Sequence, residues 1–196
     1  MTAALGHNKG PTMEPGHGWR THCWTKARKS LLGHMPIEVV RAQVKRAAEL
    51  GMDYKTYATV TGTSGQDIIA FLFSSNALRL HLSARELPAD RVQKLAAVDA
   101  ARQIVLAHRP IRPADLPPDF DHLYGIRLTD SRPAPRFTES WADIRTGMRR
   151  MLAANKIPSG GVLLVGDTSL ERDWTAAGKF AGYLPAERYF TESSYP

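Results

Sequence analysis

The stretch Tyr54–Phe73, YKTYATVTGTSGQDIIAFLF, decides which fold the chain adopts. Its first half has helical apolar spacing, a glycine-containing turn follows at TGTSG, and the apolar run IIAFLF closes it. A short apolar run suits a buried helix as well as a buried strand, because periodicity alone does not separate the two. Two interpretations of function follow from this ambiguity, one for each structure of residues 68–73.

Length, charge and cysteine content limit the number of domains, the cellular environment and the kind of partner. The 196 residues are enough for one domain with its own core. Cys23 is the only cysteine, which excludes a disulfide within the chain and suits a reducing cytoplasm. No apolar run approaches the roughly 20 residues of a membrane-spanning helix. The net charge is +7, and residues 1–50 carry eight Lys or Arg against three acids, which favours a polyanionic partner.

Three segments have the apolar stripe of an amphipathic helix. Pro36–Leu50 has proline at its first position, where the missing N–H costs nothing, and Gly51 follows as a typical C-terminal cap. Pro88–His108 and Trp141–Leu152 show the same spacing. The sequence therefore predicts long helices in both halves of the chain.

The best strand is the β-branched run Val162–Val165. Thr168 and Glu171 then have the spacing of a capping box, in which hydroxyl and carboxylate satisfy the first N–H groups of a helix. Between the two halves lies a segment, 110–135, with six prolines, a density that disfavours regular elements. No P-loop, GxGxxG, GxSxG or HExxH motif occurs in the sequence.

Residues 54–73 resemble the helix-turn-helix unit of DNA-binding proteins. Ala58 matches the small residue of the first helix, Gly62 the turn glycine, and Ile68 the buried aliphatic residue of the second helix. The resemblance implies a nucleic-acid-binding, regulatory protein without catalytic activity, with DNA favoured over RNA. This is the leading interpretation, and it needs no cofactor and no metal.

The same resemblance implies a set of contacts. Gln66 would contact a base edge, since its amide can pair with adenine, and Ser64 would cap the recognition helix. Basic side chains would bind phosphates, because these contacts position a protein on the duplex. These candidates are Lys26, Arg28, Lys29, Arg41, Lys45 and Lys55.

The C-terminal part is similar to the haloacid dehalogenase superfamily. The apolar run VLLVGDT ends in Gly-Asp, with further acids beyond it, and the run AFLFSSN ends in Ser75 and Asn76. The resemblance implies a degenerate or active Mg²⁺-dependent phosphatase in which Asp167 and Asp173 hold the metal. Ser75 and Asn76 would contact the phosphate.

The sequence departs from the pattern of that family at the position of the nucleophile. The resemblance requires Asp-x-Asp at the end of a strand, to form an aspartyl-phosphate. The spacing occurs only in Asp119-Phe120-Asp121, and the preceding Leu-Pro-Pro does not fit a buried strand.

A third interpretation is an assembly factor with a protein partner, or a homodimer.

Because helices outnumber strands, we predict a mainly α fold, with α+β as the alternative. It would be a helical bundle with a helix-turn-helix-like unit and a small strand near residues 162–165. We expect a flexible tail at 1–18, a basic helical unit at 19–109, a Pro-rich loop at 110–135 and a helix–strand–helix unit at 136–196. The alternative for the loop is that it wraps one shared core.

Overall fold

The fold is taken from a computed structural model of the chain, which describes residues 36–80 and 86–191. The chain divides into two compact units, residues 1–40 and 41–196. Only residues 36–40 of the first unit lie in the described part. The candidates Lys26, Arg28 and Lys29 lie outside the described residues.

Helices and strands alternate along most of the second unit. The helices are α1 (Ile37–Glu49), α2 (Tyr54–Ser64), α3 (Ala89–Ala97), α4 (Leu116–Tyr124), α5 (Trp141–Ala154), α6 (Ser169–Gly178) and α7 (Ala186–Thr191). The strands are β1 (Ala70–Ser74), β2 (Arg102–Ala107), β3 (Asp130–Pro133), β4 (Val162–Gly166) and β5 (Gly182–Pro185). Short 3₁₀ turns, Pro113–Asp115 and Ser159–Gly161, precede α4 and β4.

The five strands form one parallel sheet in the order β3-β2-β1-β4-β5. The centre of the sheet is β1, where Leu72 pairs with Ile104 on one side and with Leu164 on the other. The fold class is therefore α/β, and the prediction of a mainly α bundle is wrong. Helix α4 and strand β3 lie within the Pro-rich segment 110–135, so the expectation that its prolines exclude regular elements is wrong.

The helix-turn-helix-like unit predicted within that bundle is wrong for the same reason. Its first helix exists as α2, but the residues assigned to its second helix enter the central strand β1. All five residues of β1 are buried, which is typical of a parallel strand covered on both faces. Asp67 and Gln66 lie in the connection before that strand. The description of the chain as a mainly α, helix-turn-helix protein is corrected accordingly, and the DNA-binding interpretation loses its recognition helix.

A second correction concerns the predicted helix Pro88–His108. Only its first half is helical, as α3, and Arg102–Ala107 is strand β2. The apolar side chains of Ile104 and Val105 suit either structure, and the edge of β1 decides between them because it offers a complete set of hydrogen-bonding partners. By contrast, the structure confirms the helix predicted at Trp141–Leu152 and the strand at Val162–Val165.

Each face of the sheet has its own hydrophobic core. Phe71 and Phe73 point to one face, where Tyr189 of α7 packs against both rings at 5.3 and 5.8 Å between centroids. Ala70 and Leu72 point to the other face, beneath α5 and α6. This alternation follows from the two-residue repeat of a strand. In the part of the chain that is described, no helix is both long and apolar enough to span a membrane.

A polar cluster fastens the first two helices to the start of β1. Arg46 of α1 donates from Nε to Asp67 and from Nη2 to the carbonyl oxygen of Ile68, both at 2.9 Å. The Tyr57 hydroxyl of α2 donates to the other Asp67 oxygen, also at 2.9 Å. Burial, with the adjacent Asp67 carboxylate, raises the pKa of Tyr57 to about 12, so this hydroxyl keeps its proton at neutral pH. Asp67 therefore organises the helices of this end rather than facing a ligand.

The central position of β1 predicts a large difference between two Leu→Ala substitutions. Leu72 is fully buried in β1, and Leu123 on α4 is 55% exposed. Leu72→Ala should lower the free energy of unfolding by about 2–5 kcal/mol, because it leaves a cavity between strand and helices. Leu123→Ala should change it by less than about 0.5 kcal/mol. Urea unfolding measures both, and similar losses for the two variants would contradict the buried strand.

Candidate functional site

The carboxyl ends of β1, β2 and β4 form the candidate site. The chain leaves β1 toward β2 on one side and later returns to place β4 on the other. In parallel α/β sheets the crevice at such a switch point is the usual place for a ligand. The residues that follow these three strands are Ser75 and Asn76, His108, and Asp167 and Thr168.

Ser75 and His108 link the ends of β1 and β2. The Ser75 N–H donates to the Leu106 carbonyl and extends the ladder between the two strands. The Ser75 Oγ lies 2.9 Å from His108 Nδ1 and accepts the backbone N–H of His108 at 3.0 Å. Ser75 is fully buried, so its hydroxyl is held by the histidine and cannot reach a ligand in this conformation.

Glu171 of α6 is the most constrained charged group of the site. It is completely buried, and its Oε2 accepts the N–H groups of Asp167 and Thr168 at 2.5 and 2.9 Å. Its own N–H donates to the Thr168 hydroxyl, so the predicted capping box is confirmed. The other oxygen, Oε1, accepts from Asn76 Nδ2 at 3.0 Å and lies 3.6 Å from His108 Nε2. One carboxylate thus connects the ends of β1, β2 and β4.

His108 is the member of this cluster that reaches solvent. Its side chain is 27% exposed, and its ring stacks on the buried indole of Trp174 with centroids 5.6 Å apart. Burial lowers the pKa of His108, and the Glu171 carboxylate opposes this in part. In the neutral ring, a hydroxyl hydrogen on Nδ1 and a carboxylate opposite Nε2 assign the ring proton to Nε2.

The site differs from the phosphatase-like interpretation in its acids. Asp167 is exposed at the end of β4, and Asp173 is exposed on α6. Glu171 is the α6 acid that reaches the strand ends, while Asp173 is two residues further on and therefore on a different face of the helix. Ser75 and Asn76 do lie at the crevice. Among the described residues, no group of three or more His, Cys, Asp or Glu is arranged to hold a metal ion.

Asp119 and Asp121 do not supply the missing nucleophile. Both belong to α4, and they are exposed there. None of the five described strands ends in Asp-x-Asp. The aspartate pair that the resemblance requires for an aspartyl-phosphate is therefore missing from the described strand ends.

The other DNA-contact candidates lie away from this crevice. Arg41 and Lys45 are exposed on α1, and Lys55 is exposed near the start of α2. Ser64 ends α2, where its hydroxyl bonds to the backbone of Gln66 at 3.1 and 3.2 Å. The Gln66 side chain lies against Gly160, close to the amino end of β4. Ser64 and Gln66 are thus at the opposite edge of the sheet.

A tight turn places Arg79 beside the crevice. The Leu80 N–H donates to the Ser75 carbonyl and the Arg79 N–H to the Asn76 carbonyl, both at 2.9 Å. This is the bonding pattern of a Schellman turn, whose left-handed position is normally glycine. Arg79 occupies that position with φ of 55°, a conformation that is unfavourable for a side chain.

Arg79 and Arg109 bring two positive charges to the strand ends, which also carry the acids Asp167 and Glu171. Both arginines are exposed, and they directly follow the turn after β1 and the histidine after β2. Within residues 36–80 and 86–191, neither guanidinium has an ion-pair partner, in contrast to Arg112, which lies 3.9 Å from Asp115. Sequence patterns did not indicate His108, Arg79 or Arg109, because each was assigned to a helix or to an uncertain linker.

Comparison with known proteins does not identify this chain. No protein-family model, no curated protein and no solved structure matches the chain. The function must therefore be argued from the geometry of the crevice alone.

The buried ring predicts a pH dependence of stability. Because the pKa of His108 is lowered in the folded state, the unfolded state binds more protons as the pH falls below about 6.5. Stability should be complete above that pH and should decrease below it. His108→Gln should remove this component, whereas His122→Gln on the exposed face of α4 should keep it. Urea unfolding between about pH 5.5 and pH 7.5 tests this, and equal slopes for wild type and His108→Gln would contradict it.

The contact between Asn76 and Glu171 predicts the effect of placing an acid just after β1. Asn76→Asp should set a carboxylate about 3 Å from the buried Glu171 Oε1. We expect a loss of more than about 1 kcal/mol at neutral pH that becomes smaller near pH 5, because sharing a proton relieves the repulsion. Asn76→Ala removes the donor without adding charge, so its loss should vary less with pH. A loss for Asn76→Asp that does not vary with pH would argue against this contact.

Proposed function

We propose that the chain binds the phosphate group of a small phosphate ester at the crevice formed by the carboxyl ends of β1, β2 and β4. Binding would not involve an aspartyl-phosphate. The observation that carries the proposal is the pair of exposed guanidiniums, Arg79 and Arg109, which have no acidic partner in the described residues and flank the strand ends.

The chemistry of these groups fits a phosphate. A guanidinium presents parallel N–H donors that match two phosphate oxygens, and such charge-assisted hydrogen bonds are about twice as strong as neutral ones. Asn76, with one amide hydrogen bonded to Glu171, retains further capacity as a donor. The resemblance to the dehalogenase-like class implies the same contacts for Ser75 and Asn76, and of these two side chains only that of Asn76 is partly exposed.

The acids of the crevice favour phosphate binding over the phosphatase chemistry of the dehalogenase-like class. Glu171 already accepts three hydrogen bonds, from Asp167, Thr168 and Asn76. It serves to hold the crevice open in one geometry. Asp167 is the remaining acid at the strand ends, and magnesium bound there stays a prediction. A cytoplasmic location, a protein partner and a homodimer also stay predictions.

The unusual backbone of Arg79 gives a test in which loss of binding cannot be ascribed to loss of folding. Arg79→Gly should keep the stability or raise it by up to about 1 kcal/mol, because glycine adopts positive φ without a Cβ clash. The affinity for inorganic phosphate should fall about tenfold or more, since one charge-assisted contact is lost. Calorimetric titration at constant ionic strength measures the affinity.

Lys156→Gly is the matched control for this variant. Lys156 also has positive φ, 53°, and is exposed at the end of α5, near the opposite edge of the sheet. The substitution relieves the same backbone conformation and removes one positive charge, so it should leave phosphate affinity unchanged. Equal weakening by both variants would show that phosphate responds to net charge only, and would overturn the proposed site. Failure of the wild-type chain to bind phosphate at low ionic strength would overturn it as well.

A further inference from the structure

A small apolar pocket opens beside the proposed phosphate site. It lies between the turn after β1, the loop after β2 and helix α4, and it holds about 90 Å³ of space. Its lining is mainly apolar and includes Leu80, Ile111, Leu116, Phe120, Leu123 and Tyr124.

The walls of the pocket are joined directly to the residues of the crevice. The Leu80 N–H donates to the Ser75 carbonyl at 2.9 Å, and the Ile111 N–H donates to the His108 carbonyl at 3.0 Å. The two strand ends that carry the phosphate-binding candidates thus also position two sides of the pocket. A ligand held by its phosphate at the crevice would have this pocket as a neighbouring apolar surface.

The pocket is already formed in the folded chain. Leu116 and Phe120 belong to the buried core, and Phe120 meets the Tyr124 ring edge to face at 5.9 Å. The Tyr124 hydroxyl accepts the Leu87 N–H at 2.8 Å, which fixes this ring as a wall. Because its walls are held by core packing and by hydrogen bonds, the space is kept without a ligand.

The size and charge of the pocket define which chemical group can bind in it. The volume is smaller than the roughly 150 Å³ of a cavity that accepts benzene, so it suits a short alkyl group. Arg112, Asp115 and Asp119 also line the pocket; Arg112 pairs with Asp115 at 3.9 Å, and Asp119 has no ion pair in the described part of the chain. The lining thus carries one unpaired carboxylate, which disfavours a second anionic group there. We propose that the pocket binds the short, uncharged alkyl group of the phosphate ester, an inference that rests on the proposed function.

A series of phosphate esters tests this inference. Inorganic phosphate, methyl phosphate and n-butyl phosphate are titrated into the full chain at constant ionic strength. Each buried CH₂ contributes about a fourfold gain in affinity, so n-butyl phosphate should bind at least about tenfold more tightly than methyl phosphate. Inorganic phosphate and methyl phosphate should bind with similar affinity.

Two variants, with one control, test whether the preference for the butyl ester arises from this pocket. Leu123→Ala removes part of the exposed rim and should reduce the preference for the butyl ester severalfold, while inorganic phosphate binds as before. Val44→Ala on α1 is the matched control, since Val44 is also apolar and 46% exposed. Ile111→Trp should fill the pocket and abolish the preference.

The outcomes separate the two proposals. Binding of phosphate with equal affinity for the methyl and butyl esters would overturn the alkyl pocket and leave the phosphate site standing. A butyl preference that Leu123→Ala and Ile111→Trp both leave unchanged would also overturn the pocket. Absence of any phosphate binding would overturn the proposed function, and the alkyl inference with it.

Discussion

The structure depends on β1 having a parallel partner on each of its edges. A strand in this position has no solvent-facing side, so its five residues, AFLFS, are all buried, and its apolar side chains supply both cores. Its two edges bring β2 and β4 to the same level, with Leu72 opposite Ile104 and Leu164. Parallel strands end at the same side of a sheet, so whatever follows β1, β2 and β4 must meet there. The candidate site is a direct consequence of that pairing.

The buried carboxylate of Glu171 is the second constraint. A carboxylate without partners would be costly inside a protein, and here the N–H groups of Asp167 and Thr168, just before α6, and the Asn76 amide donate hydrogen bonds to it. The same group faces His108, whose ring is bonded to Ser75. This hydrogen-bond network explains how polar side chains can be buried at the carboxyl ends of the central strands. The same network keeps the Glu171 carboxylate and the Ser75 hydroxyl in hydrogen bonds within the protein.

A fold of this class does not by itself imply a reaction. The dehalogenase-like resemblance located Ser75, Asn76 and the Gly166-Asp167 turn, and the sheet brings these segments to one edge. The chemistry is different, because none of the described strands ends in the Asp-x-Asp that the resemblance requires. Phosphate recognition needs only donors and positive charge, whereas phosphoryl transfer to the protein needs a nucleophile. The proposal of binding follows from this distinction.

Local sequence determined the features whose causes are local. Apolar spacing with a Gly51 cap predicted α1, and the Thr168–Glu171 pair predicted the capping box of α6. The β-branched run Val162–Val165 was a recognisable strand. The sequences of the runs IIAFLF and IVLA do not distinguish a helix from a strand. A short apolar segment becomes a strand only when another strand satisfies its N–H and C=O groups. Those partners lie 32 and 92 positions along the chain from Ala70, at Arg102 and Val162. Only the tertiary structure could therefore make β1 the centre of a sheet and join Ser75, His108 and Glu171.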